Sequence, residues 1–322
     1  GNSNLQPDWV WIKKRAGGTA RNHILTDSSR GVTKCISSSL NDLQFTNSNG
    51  LTAFGTDGFT VGSYDSVNES GGTYVAWQWK INGGTTASNS NGTITSTVQA
   101  NTTAGISIIA YTATGSNATI GHGLTKAPEL LITKGLSDNH SWIVGSTADS
   151  SNLSKVLVLN STDASVTATG NYQGVAPTNS VYSIGTSGGN NSTGNGGLYI
   201  AYAFHSVQGF SKFGKYRGNG NADGPFTYCG FKPAWVMIKR TDNTGEWHMW
   251  DNKREDYNGN SNDTVLRANN SNAESDSTTY SIDFLSNGFK IRNASDLDNA
   301  SSSSQIYMAF AQNPFVASDV AT

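Results

Sequence analysis

Pro7-Asp8-Trp9-Val10-Trp11-Ile12-Lys13 returns as Pro128-Glu129-Leu130-Leu131-Ile132-Thr133-Lys134, and again as Pro233-Ala234-Trp235-Val236-Met237-Ile238-Lys239. Each copy is a proline, five mostly apolar residues and a lysine. Side chains alternate between the two faces of a strand, so Trp9 and Trp11 point one way and Val10 and Ile12 the other. Both faces are apolar, which predicts a central strand covered on both sides. The lysine that ends each copy is expected to mark where the strand emerges into water.

A second phrase closes each copy: Tyr74-Val75-Ala76-Trp77-Gln78-Trp79, Tyr199-Ile200-Ala201-Tyr202-Ala203-Phe204 and Tyr307-Met308-Ala309-Phe310-Ala311-Gln312. Other matches keep the same order in between. Lys34-Cys35-Ile36 aligns with Lys155-Val156-Leu157 and Thr264-Val265-Leu266, and Asp57-Gly58-Phe59 with Asn287-Gly288-Phe289. The prolines lie 121 (128 minus 7) and 105 (233 minus 128) residues apart, too long for a solenoid repeat and suited to a small domain. Runs rich in Val, Ile, Thr, Tyr, Phe and Trp, bounded by Gly, Asn, Asp and Ser, give about seven strands to a repeat, the pattern of a β-sandwich. The expected fold is all-β, a tandem array of related antiparallel β-sandwich domains of jelly-roll or lectin-like kind. The expected units are 1–81, 105–208 and 209–322, with 82–104 a Gly/Ser/Thr/Asn-rich linker or hairpin.

Ahead of the second and third copies stands an opening stretch, Gly105-Ile106-Ser107 through Tyr111-Thr112 and Gly209-Phe210-Ser211 through Tyr216-Arg217. The first copy has none. The expectation is that the natural protein continues upstream, or that the missing strand comes from a neighbouring protomer or from residues 95–103.

Composition narrows the function classes. The chain is 14% charged with a net charge of -2 and 36 glycines, in keeping with short strands and many turns. Basic clusters for phosphate are lacking, which argues against nucleic acid as a partner. No apolar run approaches the roughly 18 to 20 residues that cross a bilayer, so membrane insertion is not expected. Two cysteines make no disulfide framework, and Cys35, aligned with Val156 and Val265, reads as a small buried hydrophobe.

No catalytic constellation stands out. Glu69, Glu129, Glu246, Glu255 and Glu274 are scattered, and His23, His122, His140, His205 and His248 lack metal-ligand spacing. Neither a catalytic residue, a metal nor a cofactor is expected. Asp27 with Arg30 and Asp251 with Arg254 read as ion pairs closing a loop. Asn68, Asn191 and Asn299 recur before the closing strand in glycosylation-like triplets, and an Asx turn explains their position better. Most of the eight tryptophans sit in the repeated phrases, where packing is the default role. Trp142, Trp247 and Trp250 lie on the following strand, where the copies differ more, and are the candidates for carbohydrate binding. Several shallow sites on one chain would gain avidity by linkage.

Pro7 to Lys13, Thr46-Asn47-Ser48-Asn49-Gly50-Leu51-Thr52, Asp57-Gly58-Phe59, Tyr74 to Trp79, Ile120-Gly121-His122-Gly123-Leu124, Gly209 to Gly214 and Asp283 to Lys290 resemble stretches of repeat-bearing virion structural proteins of marine tailed phages, described as tail-fibre-like. The likeness covers nearly the whole chain. It implies sandwiches similar to the concanavalin A-like lectin and glucanase group, a virion or extracellular-surface location, and a homotrimer whose partners are other virion proteins and host surface glycans. It carries no ligand residues. The expected function is non-enzymatic: host-surface glycan attachment or virion assembly. The alternatives are a glycan-degrading enzyme on the same fold and a purely structural capsid-surface or decoration protein.

Overall fold

The computed structural model describes residues 5–254 and 263–314 of the 322. The outer ends of the first and third expected units, and Glu255, lie outside the described residues. In chain order the strands of the first repeat are β1 (Trp9–Ala16), β2 (Ile24–Asp27), β3 (Lys34–Cys35), β4 (Phe45–Thr46), β5 (Leu51–Gly55), β6 (Gly58–Val61) and β7 (Thr73–Trp79). Next come β8 (Ala87–Asn89), β9 (Ser96–Asn101), β10 (Ile106–Thr112), β11 (Ala118–Gly121), β12 (Leu130–Gly135), β13 (Ile143–Ser146), β14 (Lys155–Val158), β15 (Val166–Thr167), β16 (Val181–Ile184) and β17 (Leu198–Phe204). The third repeat supplies β18 (Ser211–Arg217), β19 (Phe226–Tyr228), β20 (Pro233–Arg240), β21 (Trp247–Asp251), β22 (Thr264–Arg267), β23 (Ser275–Asp276), β24 (Ile282–Leu285), β25 (Gly288–Ile291) and β26 (Ser304–Ala311). The fold is all-β and sandwich-like, and every named strand pairing is antiparallel.

The proline-led strands β1, β12 and β20 are each flanked on both sides, in the orders β2-β1-β7, β13-β12-β17 and β26-β20-β21. One face of each enters a core of its own, with Val10 and Ile12, Leu131, and Val236 and Ile238 in three separate clusters. The other faces meet in a single cluster that joins Trp9 and Trp11 to Leu130 and Ile132 and to Trp235 and Met237. This shared core explains why the phrase is apolar on both sides.

The repeats touch in one repeated way. The backbone amides of Gln44, Ser165 and Glu274 donate to the carbonyls of Leu136, Thr241 and Arg15, at 2.9, 2.9 and 3.0 Å. The donors hold equivalent positions, as do the acceptors. First binds second, second binds third, and third binds first, so the head-to-tail contact closes on itself within one chain, as heterologous interfaces do when their rotation closes.

Lys13, Lys134 and Lys239 reinforce the circle. The expectation that they emerge into water is wrong: all three are fully buried. Each ammonium donates to the carbonyl after it and to one across the junction: Ser271 for Lys13 (3.2 Å), Asn41 for Lys134 (3.1 Å) and Thr162 for Lys239 (3.2 Å). The strand continues past the lysine into a neighbouring repeat, where sequence alone shows no neighbour.

Strand pairing also corrects one alignment. Lys13 pairs with Val75, Lys134 with Ile200 and Lys239 with Ile306. Gln305, and not Tyr307, therefore stands where Tyr74 and Tyr199 stand, and Trp77, Tyr202 and Met308 are equivalent. Trp77 Nε1 donates to Asp251 (3.0 Å) and Tyr202 Oη to Asp27 (2.8 Å), each across a junction. The third junction pairs Met308 with a repeat that has Ser146 in place of the aspartate, so donor and acceptor are lost together.

Residues 82–104 contain a hairpin, β8 and β9, which widens the second repeat's sheet to the order β17-β10-β9-β8. Because β9 pairs with β10, residues 95–103 do not supply the first repeat's missing strand.

Candidate functional site

Trp142, Trp247 and Trp250, the candidates for a sugar-stacking ring, are 0%, 2% and 0% exposed. They present no face to a ligand. Trp142 Nε1 donates to the Ser37 carbonyl (2.7 Å) and Trp247 Nε1 to the Val158 carbonyl (3.0 Å), both across junctions, while Trp250 Nε1 reaches the Tyr280 carbonyl (3.0 Å). His23 replaces the tryptophan in the first repeat: Nδ1 accepts from Trp11 Nε1 (2.8 Å), so Nε2 carries the hydrogen to the Arg267 carbonyl (2.9 Å). Burial, then Lys13, holds its pKa well below the ordinary 6.5, which keeps it neutral as this pattern requires. Sequence reasoning missed these junction roles because their partners lie in other repeats.

The recurrent polar residues are likewise committed. Arg30 pairs with Asp27 (2.5 Å) and Arg254 with Asp251 (2.6 Å), closing loops as expected. Glu274 pairs with Arg15, Glu69 with Lys14 and Arg21, Glu129 accepts from the Ser206 amide, and Glu246 from Asn269. Asn191 and Asn299 are buried and so are closed to a glycan. Asn191 Oδ1 accepts the amides of Thr114 (2.9 Å) and Gly115 (3.2 Å), and Asn299 Oδ1 that of Asn219 (2.8 Å). These asparagines clamp the loop that follows the opening strand, a longer reach than the Asx turn expected of them.

Among the described residues of the first repeat no such loop or strand stands at that place, and a groove of about 650 Å³ runs along β7. Its walls include Val75, Trp77 and Trp79 from β7, with Phe210, Trp235 and Phe310 opposite. In the other two repeats the corresponding strands β17 and β26 are covered there by β10 and β18. Asn68 keeps the clamp's place and bonds the Gly62 carbonyl (3.0 Å) as Asn191 and Asn299 bond Gly185 and Asn293. Yet it is exposed, and its Oδ1 accepts no hydrogen bond from the described residues.

A smaller polar cavity of about 180 Å³ opens where the second and third repeats meet, lined by Asp149, Lys155, Lys215, Thr241, Asp242 and Gln305. Its cause is a substitution between copies. The second repeat has Ser146 and Asp149 where the others have the Asp and Arg of the loop-closing pair, so no guanidinium fills the space. Asp149 Oδ2 and Gln305 Oε1 are buried there without a partner among the described residues.

Burial lowers the pKa of Lys13, Lys134 and Lys239 from 10.5 to about 8 each, with Lys14 adding to the effect at Lys13. The folded chain therefore binds fewer protons than the unfolded chain between pH 8 and 10.5, and stability rises with pH across that window. Below pH 8 the burial cost is borne in full. Thermal melts should rise from pH 7.5 to 9.5, and Lys239→Met should flatten that rise. Buried Tyr111, Tyr182, Tyr202 and Tyr216, whose pKa values are raised above 10 chiefly by burial, reverse the slope in stronger base. A fall in melting temperature between pH 7.5 and 9.5 contradicts this assignment.

Fold and groove together define an all-β, sandwich-like protein whose repeated polar groups hold its own parts together and which, among the described residues, has a groove with aromatic walls along a strand edge. The chain belongs to the family described as Domain of unknown function (DUF7483), whose model matches residues 2–314. No curated protein and no solved structure matches it.

Proposed function

We propose that the chain is a non-enzymatic structural protein of a tailed-phage virion, tail-fibre-like in kind, that works in particle assembly. On this reading residues 1–81, 105–208 and 209–322 are three copies of one lectin-like β-sandwich closed into a circle, with 82–104 as an added hairpin. The observation that carries it is the distribution of chemistry. The recurrent Lys, Trp, Asp and Arg groups bind one repeat to another, while an apolar groove runs beside a strand edge that is unpaired among the described residues, which suits a polypeptide partner. Its partners are then other virion proteins and copies of itself, at the surface of the particle.

Location is the test. An antiserum against the chain, applied to purified particles of the phage that encodes it, should label a fixed position on every particle. Label confined to soluble lysate, with none on particles, refutes the reading.

A second reading, host attachment through a surface glycan, is favoured by the polar cavity. Asp149, Asp242, Lys155 and Lys215 line it, and carboxylates and ammonium groups are ordinary hydrogen-bond partners for a ligand rich in hydroxyl groups. Binding on a glycan array that Asp149→Ala abolishes would establish it, and an array with no signal removes it.

A further inference from the structure

We propose that the exposed edge of β7 accepts one β-strand from a second polypeptide, added antiparallel in the place that β10 and β18 occupy in the other repeats. This deepens the assembly reading and rests on it for the donor's identity as a virion protein.

The internal copies say what fits. Asp8 N donates to the Trp79 carbonyl (2.8 Å), so the peptide groups of Trp79, Trp77 and Val75 face β1 and those of Lys80, Gln78, Ala76 and Tyr74 face the groove. At the position of Lys80, the His205 amide donates to the Gly105 carbonyl (3.0 Å) and the Ala311 amide to the Phe210 carbonyl (2.8 Å). The Lys80 amide has no such partner among the described residues. Among the described residues β7 pairs with β1 alone, so its groove-facing peptide groups are placed to take the bonds that fix an opening strand.

Side chains define the strand's chemistry. Ile108 lies opposite Tyr202 and Phe213 opposite Met308, and both enter the shared core; the corresponding position on β7 is Trp77. Three residues later Tyr111 and Tyr216 cross into the local core and donate to the carbonyls of Asn190 and Asp298 (2.6 and 2.7 Å). The donor is therefore an extended segment with a large apolar residue opposite Trp77, a tyrosine three positions on, and a turn whose amides reach Asn68 Oδ1. Among the described residues the same side of the repeat has no second strand either. β11 pairs with β16 and β19 with β25, but β6, their equivalent, pairs only with β5. Unpaired edges of this kind are otherwise blunted by charge, proline or cover.

The probe is a synthetic peptide with the sequence of residues 105–115, the second repeat's own opening strand, added to the whole chain. Amide exchange at Ala76, Gln78 and Lys80 should slow by about 100-fold when the peptide stands at about 100 times its Kd. Gln78→Pro removes a groove-facing donor and leaves the pairing with β1 untouched, a placement proline tolerates on an edge strand. It should abolish the protection while the melting curve is retained. Asn68→Ala, at an exposed position, should weaken binding without unfolding. Absence of protection, protection elsewhere, or unchanged binding by Gln78→Pro overturns the proposal. So does full protection of those amides before peptide is added, which would assign the edge to the chain's own flanks. Peptide binding does not depend on where the protein sits in a particle, so this result and the antiserum result fail separately.

Discussion

Trp9→Ala should lower the free energy of unfolding by about 3–5 kcal/mol, the range for truncating a fully buried aromatic residue. Trp9 is 1% exposed and lies between Trp79 (centroids 4.4 Å apart) and Tyr202 (4.6 Å), with Phe204 at 6.0 Å. It therefore joins two strands of the first repeat to the second, and its loss opens a cavity at the meeting point of the circle. Trp9→Phe is a sharper test. Trp9 Nε1 is buried without a hydrogen-bond partner among the described residues, so phenylalanine removes an unsatisfied donor along with some packing. That exchange should cost about 1 kcal/mol, because relief of the orphaned group offsets part of the lost area. Trp11→Phe should cost more than Trp9→Phe, since it strands His23 Nδ1 in a buried site. Denaturant unfolding followed by circular dichroism ranks the three, and a Trp9→Phe loss larger than that of Trp11→Phe contradicts the account.

The parts of this fold that sequence revealed are those governed by alternation. The two-faced apolar phrase at Trp9 to Ile12 marked the central strand β1, and its copies from Pro128 and Pro233 lie in β12 and β20. Alternation also set the limit. Aligning Tyr307 with Tyr74 was an error of two residues, and a slip of two on a period-two strand returns every side chain to its own face. Only hydrogen-bonded register could expose it. The lysines failed for another reason. A cation after a mostly apolar run ends a strand in water when the strand stands alone, but Lys13 continues into a surface made by Ser271, some 258 positions away.

The candidate site was legible as an absence. Comparing copies showed that residues 1–6 hold no counterpart of the opening stretch, and among the described residues the groove along β7 lies at that place. The groove's aromatic walls were not readable, because Phe210, Trp235 and Phe310 come from a different repeat. The three tryptophans chosen for exposure failed because divergence between copies suggested ligand contact. At Trp142 and Trp247 the divergence instead tracks the junction: one copy uses His23 to reach the same neighbouring carbonyl.

Lys134→Met tests whether the circle is held by its lysines. Lys134 Nζ donates to the carbonyls of Asn41 (3.1 Å), Gly135 (2.9 Å) and His140 (2.7 Å), so all three ammonium hydrogens are used. Methionine keeps most of the stem's bulk and relieves the burial of a charge, but it leaves three carbonyls to face an apolar tip. Each buried acceptor left unsatisfied costs about 1–3 kcal/mol, and with three carbonyls affected that loss should dominate. The location of the damage matters more than its size. Asn41 belongs to the first repeat, so only the first–second junction loses its clamp, and the neighbouring bond from Gln44 N to the Leu136 carbonyl should open first. Exchange at Gln44 should accelerate while Ser165 and Glu274, its counterparts at the other junctions, stay protected. Lys239→Met should transfer the effect to Ser165, because Lys239 reaches Thr162. Uniform loosening at all three junctions would mean that the shared aromatic core alone holds the circle together and that the lysines merely tolerate their burial.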